Sequence, residues 1–233
     1  LIGQIGAVGT ALDGLQHACR RVGFVERIGS PALLDTVGRW GAGRGVRLPS
    51  LRHVISAGAP VSPVIIERFQ SLLTSGAAIH TPYGATESLP VATISSREIL
   101  GETRSATDRG AGTCVGKPVP SISAAVIGIS DAPIREWSDE LPLGAGEIGE
   151  IVVRGPQVTR GYFNAPRHDE LAKIFDGQDV RHRMGDLGYF DAAGRLWFCG
   201  RKSQRVRTAA GTMYTVPCEA VFDAHPEGHR SAL

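Results

Sequence analysis

Thr81-Pro82-Tyr83-Gly84-Ala85-Thr86-Glu87 puts an aromatic ring, a glycine, a hydroxyl and a carboxylate into the short span from Tyr83 to Glu87. The run before it, Gly76-Ala77-Ala78-Ile79-His80, is small and apolar. It reads as a buried strand, with the motif as the loop at its carboxyl end. In open α/β sheets ligands bind at the carboxyl ends of strands. A ring that stacks, a glycine that admits a ligand close to the backbone, and a hydroxyl and an anion able to hold a metal make a nucleotide site. Taken alone, a strand-to-helix turn with a Thr cap has an equal claim on these residues.

Upstream, His53-Val54-Ile55-Ser56 reads as a second short strand running into Ala57-Gly58-Ala59-Pro60. Ser62-Pro63 then opens a helix, Val64 to Leu73, with Ile65, Phe69, Leu72 and Leu73 on one face. Gly58 to Pro60 thus takes the same position relative to its strand as the first motif, although a plain tight turn is the better explanation of Gly58 until a second loop supports a site. Ser30-Pro31 reads as a helix start, Ser as N-cap and Pro at the first helical position. A basic, Gly-rich loop follows from Gly41 to Arg47. Residues 1 to 30 are less informative: Ile2 to Leu12 is small and apolar, and Leu15 to Arg21 suits a helix. Downstream of Glu87, Leu89 to Ile94 is apolar, and Ser95 to Gly112 is polar and suits a surface loop or short helices.

From about residue 122 the pattern changes. Ile122 to Ile129 and Ile148 to Arg154 are strand-like, separated by turns and by no long helix, which predicts antiparallel, barrel-like β-structure. Pro156 to Phe163 is expected to continue it, and His168 to Phe175 to form one short helix. Met184 to Gly188 and Arg195 to Gly200 flank the turn Asp191-Ala192-Ala193-Gly194, a hairpin signal. Val206 to Thr208 and Met213 to Val216 flank a Gly211 turn, and Pro217 opens a last helix, Cys218 to His225.

The 233 residues are 42% hydrophobic and 21% charged, an ordinary globular composition. Net charge is +2 with no long basic run, which argues against nucleic acid as a partner. Arg201, Lys202, Arg205 and Arg207 lack interleaved aromatics and read as a solvated strand. The four cysteines, Cys19, Cys114, Cys199 and Cys218, form no CxxC pair and fit buried thiols in a reducing cytoplasm. No apolar run reaches the length of a membrane span. His225 and His229 are four apart, but Pro226 and Gly228 lie between them and spoil a helical metal pair. The chain opens on Leu1 and stops at Ser231-Ala232-Leu233, which reads as a fragment of a longer protein.

Five separated pieces agree on one family. They are Ser56-Ala57-Gly58-Ala59-Pro60; Tyr83 to Glu87; Gly146-Glu147-Ile148-Gly149-Glu150 with Arg154-Gly155 and Gly161-Tyr162; Gly185-Asp186-Leu187-Gly188; and Gly200-Arg201-Lys202. In this order, over residues 30 to 233, the chain resembles the adenylate-forming superfamily of acyl-CoA synthetases, luciferases and peptide-synthetase adenylation domains. Within it, Arg183-Met184-Gly185-Asp186, Phe198 to Arg205 and Tyr214 to Glu219 look most like the β-lactone synthetases of bacterial long-chain olefin biosynthesis.

The resemblance implies an α/β fold: an α/β subdomain over 1–121, a distorted antiparallel β-barrel over 122–200, and a hinge with the start of a small C-terminal α+β domain over 201–233. It implies ATP and AMP as nucleotides and Mg²⁺ as cofactor. Tyr83 would lie on adenine, with Gly84 beside it and Gly58, Ala59 and Pro60 as the other wall. Thr86 would bond the α-phosphate and Glu87 would hold Mg²⁺, the two being the catalytic pair. Asp186 would take the ribose hydroxyls and Arg201 would steady ribose or phosphate. Lys202 would be the hinge, and Gly211 would lie on the loop used in the second half-reaction. The substrate implied is a fatty or 2-alkyl-3-hydroxy acid, in a cytoplasmic enzyme alongside other olefin-pathway enzymes. A long-chain acyl-CoA ligase and a non-catalytic nucleotide-binding remnant are the rival readings.

The chain also departs from the family. Met184 stands where most members carry Thr, and neither the phosphate loop nor the C-terminal catalytic lysine is present, so the 233 residues alone are expected to be inactive. His80 and His182 lie near site motifs, where a structural role outweighs that of base for ring closure.

Overall fold

The computed structural model describes residues 26–225, 227 and 231–233, with side chains from residue 29 onward. The expected elements at Ile2 to Leu12 and Leu15 to Arg21, together with Cys19, Pro226, Gly228 and His229, lie outside the described residues. No helix among the described residues is long and apolar enough to cross a membrane. The chain divides into two compact units. The first runs to Thr81 and takes in Ser95–Glu102; the second takes Pro82–Ile94 and Thr103–Leu233.

The first unit is α/β. Strands β1 (Glu26–Gly29) and β2 (His53–Ser56) pair in parallel, and β2 pairs in parallel with the start of β3 (Ala78–Ala85). Helix α1 (Pro31–Ala42) starts as the Ser-Pro signal predicts: the Ser30 hydroxyl accepts from the Leu33 amide, and Pro31 opens the first turn. Helix α2 (Pro63–Gln70) repeats the device with Ser62 and Pro63. Its buried face is Ile66 and Phe69, whereas Ile65 is only half buried. The helix therefore stops at Gln70, and Leu72 and Leu73 are buried beyond its end rather than on its face. Gly41 lets α1 approach this segment, because a Cβ there would run into Leu72 Cδ2. Asp35 on α1 accepts from both Arg39 (2.8 Å) and Arg68 of α2 (2.6 Å).

The second unit is mainly antiparallel β-structure. Its sheet runs β4 (Ser88–Ser95), β5 (Thr113–Pro118), β10 (Leu196–Arg201), β9 (Asp179–Phe190), β7 (Gly149–Arg154) and β6 (Ser123–Ile127), with β8 (Lys173–Asp176) on β9. Residues 149–153 of β7 are all buried, as a central strand requires. Val91, Val115, Val126, Ile151, Val153, Met184 and Leu196 build the core. Gly116 has φ +86°, and a Cβ there would strike the Thr93 carbonyl, so β4 and β5 meet at glycine.

Several expectations need correction. β3 does not stop at His80 but runs through Tyr83 and Gly84 to Ala85, leaving only Thr86 and Glu87 as the turn into β4. The next element is thus a strand, not a helix. Residues 156–163 carry no strand, because their backbone groups are spent on side chains and on Glu87 instead. The expected helix from His168 to Phe175 divides into α3 (Pro166–Ala172) and β8, where the alternating run Lys173-Ile174-Phe175 pairs with β9. The last helix, α4 (Thr215–Asp223), begins before Pro217, which is tolerated because first-turn amides have no helical acceptor. Residues 96–108 are short helical turns, and β9 with β10 forms the predicted hairpin. Strands β11 (Val206–Thr208) and β12 (Gly211–Met213) make a second hairpin, but Gly211 is paired with Thr208 inside β12 rather than being the turn, and the expected strand from Met213 to Val216 gives way to the start of α4.

Candidate active site

Two clusters in the second unit gather most of the predicted residues. The first is built on Asp186. It lies on β9 opposite Arg201 of β10 and is 3% exposed. Tyr83 brings its ring against Phe198, centroids 6.0 Å apart, and donates its hydroxyl to Asp186 Oδ2 at 2.7 Å. Burial, then Asp186, pushes the Tyr83 phenol well above its ordinary range, so it is the proton donor of the pair. Burial raises the Asp186 carboxyl, against the opposing pull of the Tyr83 hydrogen bond and the Arg201 charge.

The Arg201 Nη1 atom is 2.8 Å from Asp186 Oδ1. Oδ1 is thus buried and ion-paired with Arg201, with no further donor on it. Buried carboxylate oxygens are seldom left so. A hydroxyl donor from a ligand would complete this one, and vicinal ribose hydroxyls fit the requirement.

The second cluster surrounds Glu87 at the β3–β4 turn. Its Oε1 accepts from the Tyr162 hydroxyl at 2.7 Å, and its backbone carbonyl accepts from the Thr159 amide at 2.8 Å. The Tyr162 hydrogen bond holds the Glu87 carboxyl below the usual range, so it is an anion. Burial, then Glu87, pushes Tyr162 up to about 12. Tyr162 is the one side chain among the described residues that donates to the Glu87 carboxylate, and it takes Oε1. Among them no three His, Cys, Asp or Glu side chains assemble a metal cage. A single turn carboxylate whose Oε2 meets no side-chain donor suits Mg²⁺, which takes one or two carboxylates and otherwise phosphate and water oxygens. Thr86 is exposed beside it, its hydroxyl unbonded among the described residues. Gly84 permits the tight return of the chain, because a Cβ there would meet the Ser88 carbonyl.

His182 lies on β9 close to this cluster, its ring edge-on to Tyr162 at 6.4 Å. Its Nδ1 is 3.2 Å from the Ala172 carbonyl. A carbonyl only accepts, so Nδ1 carries the proton and His182 is satisfied within the fold. Burial first, and Lys173 second, lower it to about 4, which keeps the ring neutral. His80 belongs to the first unit, its ring 5.8 Å from that of His53. Gly58, Ala59 and Pro60 also belong to the first unit, where they follow the carboxyl end of β2; Gly58 has φ +97° and open space around its Cα.

The basic residues after β10 are individually paired. The Lys202 ammonium donates to Glu150 Oε1 (3.0 Å) and the Ser130 carbonyl (3.1 Å). Glu150 also holds Arg183, both 1% exposed in their side chains, at 2.6 Å. Arg205 and Arg207 share Asp131. Gly211 opens β12 with φ +138° and is exposed. Met184 is buried in the apolar core, so the hydroxyl most family members carry there is absent.

Sequence reasoning assigned no role to Tyr162, Lys173, Glu150 or Arg183. Tyr162 and Glu150 stood within quoted motifs, but their partners are 75 and 33 residues away, beyond any local signal. Lys173 carried no cue, because the run His168 to Phe175 reads as a helix and only the folded chain places Lys173 at a buried strand position.

Comparison with known proteins identifies the family. The family model described as AMP-binding enzyme matches residues 10–163. Olefin beta-lactone synthetase of Xanthomonas campestris pv. campestris is 50% identical over 224 residues, 94% of this chain and 39% of that protein. The protein of the same name from Stenotrophomonas maltophilia is 49% identical over 94% of this chain and 40% of its own length. The chain therefore spans about two fifths of these relatives. In fold it is similar to unliganded O-succinylbenzoate coenzyme A synthetase of Bacillus subtilis, with a TM-score of 0.71 at 23% identity, covering 97% of this chain and 42% of that one.

Proposed function

Because the chain belongs to the AMP-binding enzyme family, we propose that the full-length protein uses ATP to activate a 2-alkyl-3-hydroxy fatty acid and closes it to a β-lactone. The observation that carries the nucleotide half of this reading is Asp186. It is a buried carboxylate with one oxygen held by Tyr83 and the other paired only with the Arg201 guanidinium. The lactone half is supported by identity to the two olefin beta-lactone synthetases.

In this reading a substrate carboxylate oxygen attacks the α-phosphorus of ATP. The Pα–O bond to the β-phosphate breaks, and pyrophosphate leaves. No protein nucleophile is needed, since positioning and charge neutralisation dominate such transfers. Tyr83 and Asp186 orient the nucleoside, with Gly84 as a further contact. Arg201 steadies ribose or phosphate, and Thr86 donates to the α-phosphate. Glu87 would hold Mg²⁺, which neutralises phosphate charge when bound. The substrate's own 3-hydroxyl oxygen then attacks the acyl-adenylate carbonyl. The bond from that carbon to the phosphate oxygen breaks, the hydroxyl proton is lost, and AMP departs. The attack is intramolecular, which removes much of the entropic barrier. Lys202 would mark the hinge and Gly211 the loop of this second stage. The 1–121, 122–200 and 201–233 divisions remain the proposed domain boundaries within the longer protein, which on this reading works in the cytoplasm beside other olefin-pathway enzymes.

The test incubates the full-length protein with Mg²⁺, ATP and a 2-alkyl-3-hydroxy acid, with and without coenzyme A. We expect β-lactone, AMP and pyrophosphate without coenzyme A. Acyl-CoA formed only when coenzyme A is added would replace this reading with an acyl-CoA ligase. Nucleotide binding without turnover would leave a binding protein.

A further inference from the structure

The loop from Thr159 to Tyr162 belongs to no strand or helix, yet each residue is tied down. The Thr159 amide donates to the Glu87 carbonyl. Its own carbonyl and hydroxyl accept from the Lys173 ammonium, at 2.5 and 3.1 Å. Arg160 donates to the Gln178 carbonyl at 2.6 Å. Gly161 lies close over Asp169, where a Cβ would meet Oδ2 at 3.1 Å. The Tyr162 amide donates to Asp169 Oδ1 at 2.8 Å.

Two features go beyond what holding a loop in place requires. Lys173 is 4% exposed, and burying an ammonium is costly unless it is well bonded. Its bonds go to Thr159, and its charge lies 5.4 Å from the centre of the Tyr162 ring. A buried cation is thus committed to fixing this one loop. The second feature is where the loop ends: the Tyr162 ring is flanked edge-on by His168 (6.3 Å) and His182, and its hydroxyl reaches Glu87 Oε1. The ring cannot swing away without breaking the packing on either side.

We propose that Tyr162 is a positioning residue for the cation at Glu87. Its clamped hydroxyl occupies Oε1 and fixes the carboxylate rotamer, which presents Oε2 as the ligand oxygen. The proposal rests on the reading of Glu87 as metal ligand given above. Tyr162 touches neither nucleotide nor cation in this account, so it acts only through Glu87.

The test is a binding cycle on the full-length protein. Calorimetry measures affinity for α,β-methylene-ATP with and without Mg²⁺, in wild type, Tyr162→Phe and Glu87→Gln. The ratio of the two affinities is the gain due to the cation. In wild type the gain should be large, and in Glu87→Gln it should be nearly lost. In Tyr162→Phe we expect the gain to fall about tenfold, the scale of one hydrogen bond to a charged group. Metal-free affinity should stay within about twofold of wild type, which also reports that the variant is folded. An unchanged gain in Tyr162→Phe overturns the proposal while leaving Glu87 as ligand. Equal loss of metal-free affinity overturns it too, because the effect is then general. No gain in wild type, or a full gain in Glu87→Gln, refutes the reading of Glu87 itself and this proposal with it.

Discussion

Asp186 and Glu87 are both carboxylates, and the fold treats them oppositely. Asp186 is buried, its pKa raised by desolvation; Glu87 sits on a turn, its pKa lowered by Tyr162. That contrast matches a group that accepts neutral hydroxyls and a group that meets a cation. Both residue types were legible in the sequence, because each stands in a short motif. Their settings were not: Tyr83 and Asp186 are separated by 103 residues, and only the folded sheet brings them to 2.7 Å. His182 gives a prediction at this scale. Its pKa is about 4 in the fold against 6.5 for the free side chain. The folded value is depressed, so the unfolded chain binds more protons between these values. His182 therefore costs nothing above pH 6.5, and stability is lost as pH falls toward 4, by up to about 3 kcal/mol. Unfolding free energies from pH 7 to pH 4.5 should decline less steeply in His182→Asn than in wild type. Parallel declines would mean that His182 does not carry this dependence.

At the level of elements, helix starts were the most readable feature. Ser30-Pro31 and Ser62-Pro63 mark them through local bonding alone. Strand limits were less readable. β3 runs through Pro82 and Gly84, two residues that punctuate strands elsewhere, because pairing outweighs local preference here. The segment 156–163 misled for the converse reason: it has strand-like residues but spends its hydrogen bonds on Glu87, Asp169 and Lys173. The link between β7, β9 and the turn after β10 is the buried pair Glu150 and Arg183 with the half-buried Lys202. Arg183 also donates to the Ala132 and Ser130 carbonyls, at 2.9 and 2.5 Å. Glu150→Gln keeps the shape but leaves Arg183 buried beside a neutral partner. Denaturant unfolding should register a loss of about 3 kcal/mol or more. A loss below about 1 kcal/mol would show that the carbonyls alone satisfy Arg183.

For the molecule as a whole, the sequence conveyed the change from helix-bearing to antiparallel structure but not the strand order. β5 pairs with β10, and β7 with β9, across long stretches of chain, and hydrophobic alternation does not encode such partners. The residues proposed for nucleoside, phosphate and cation are drawn from β3, β9, β10 and the β3–β4 turn, all within the second unit. The proposed adenylation of an acid rests on Glu87 and a bound cation. It is tested by Mg²⁺- and hydroxy-acid-dependent exchange of labelled pyrophosphate into ATP by the full-length protein, wild type against Glu87→Gln. Exchange is expected in wild type and a loss of at least about a hundredfold in the variant, with the thermal midpoint unchanged. Exchange near the wild-type rate in a folded Glu87→Gln protein would contradict it.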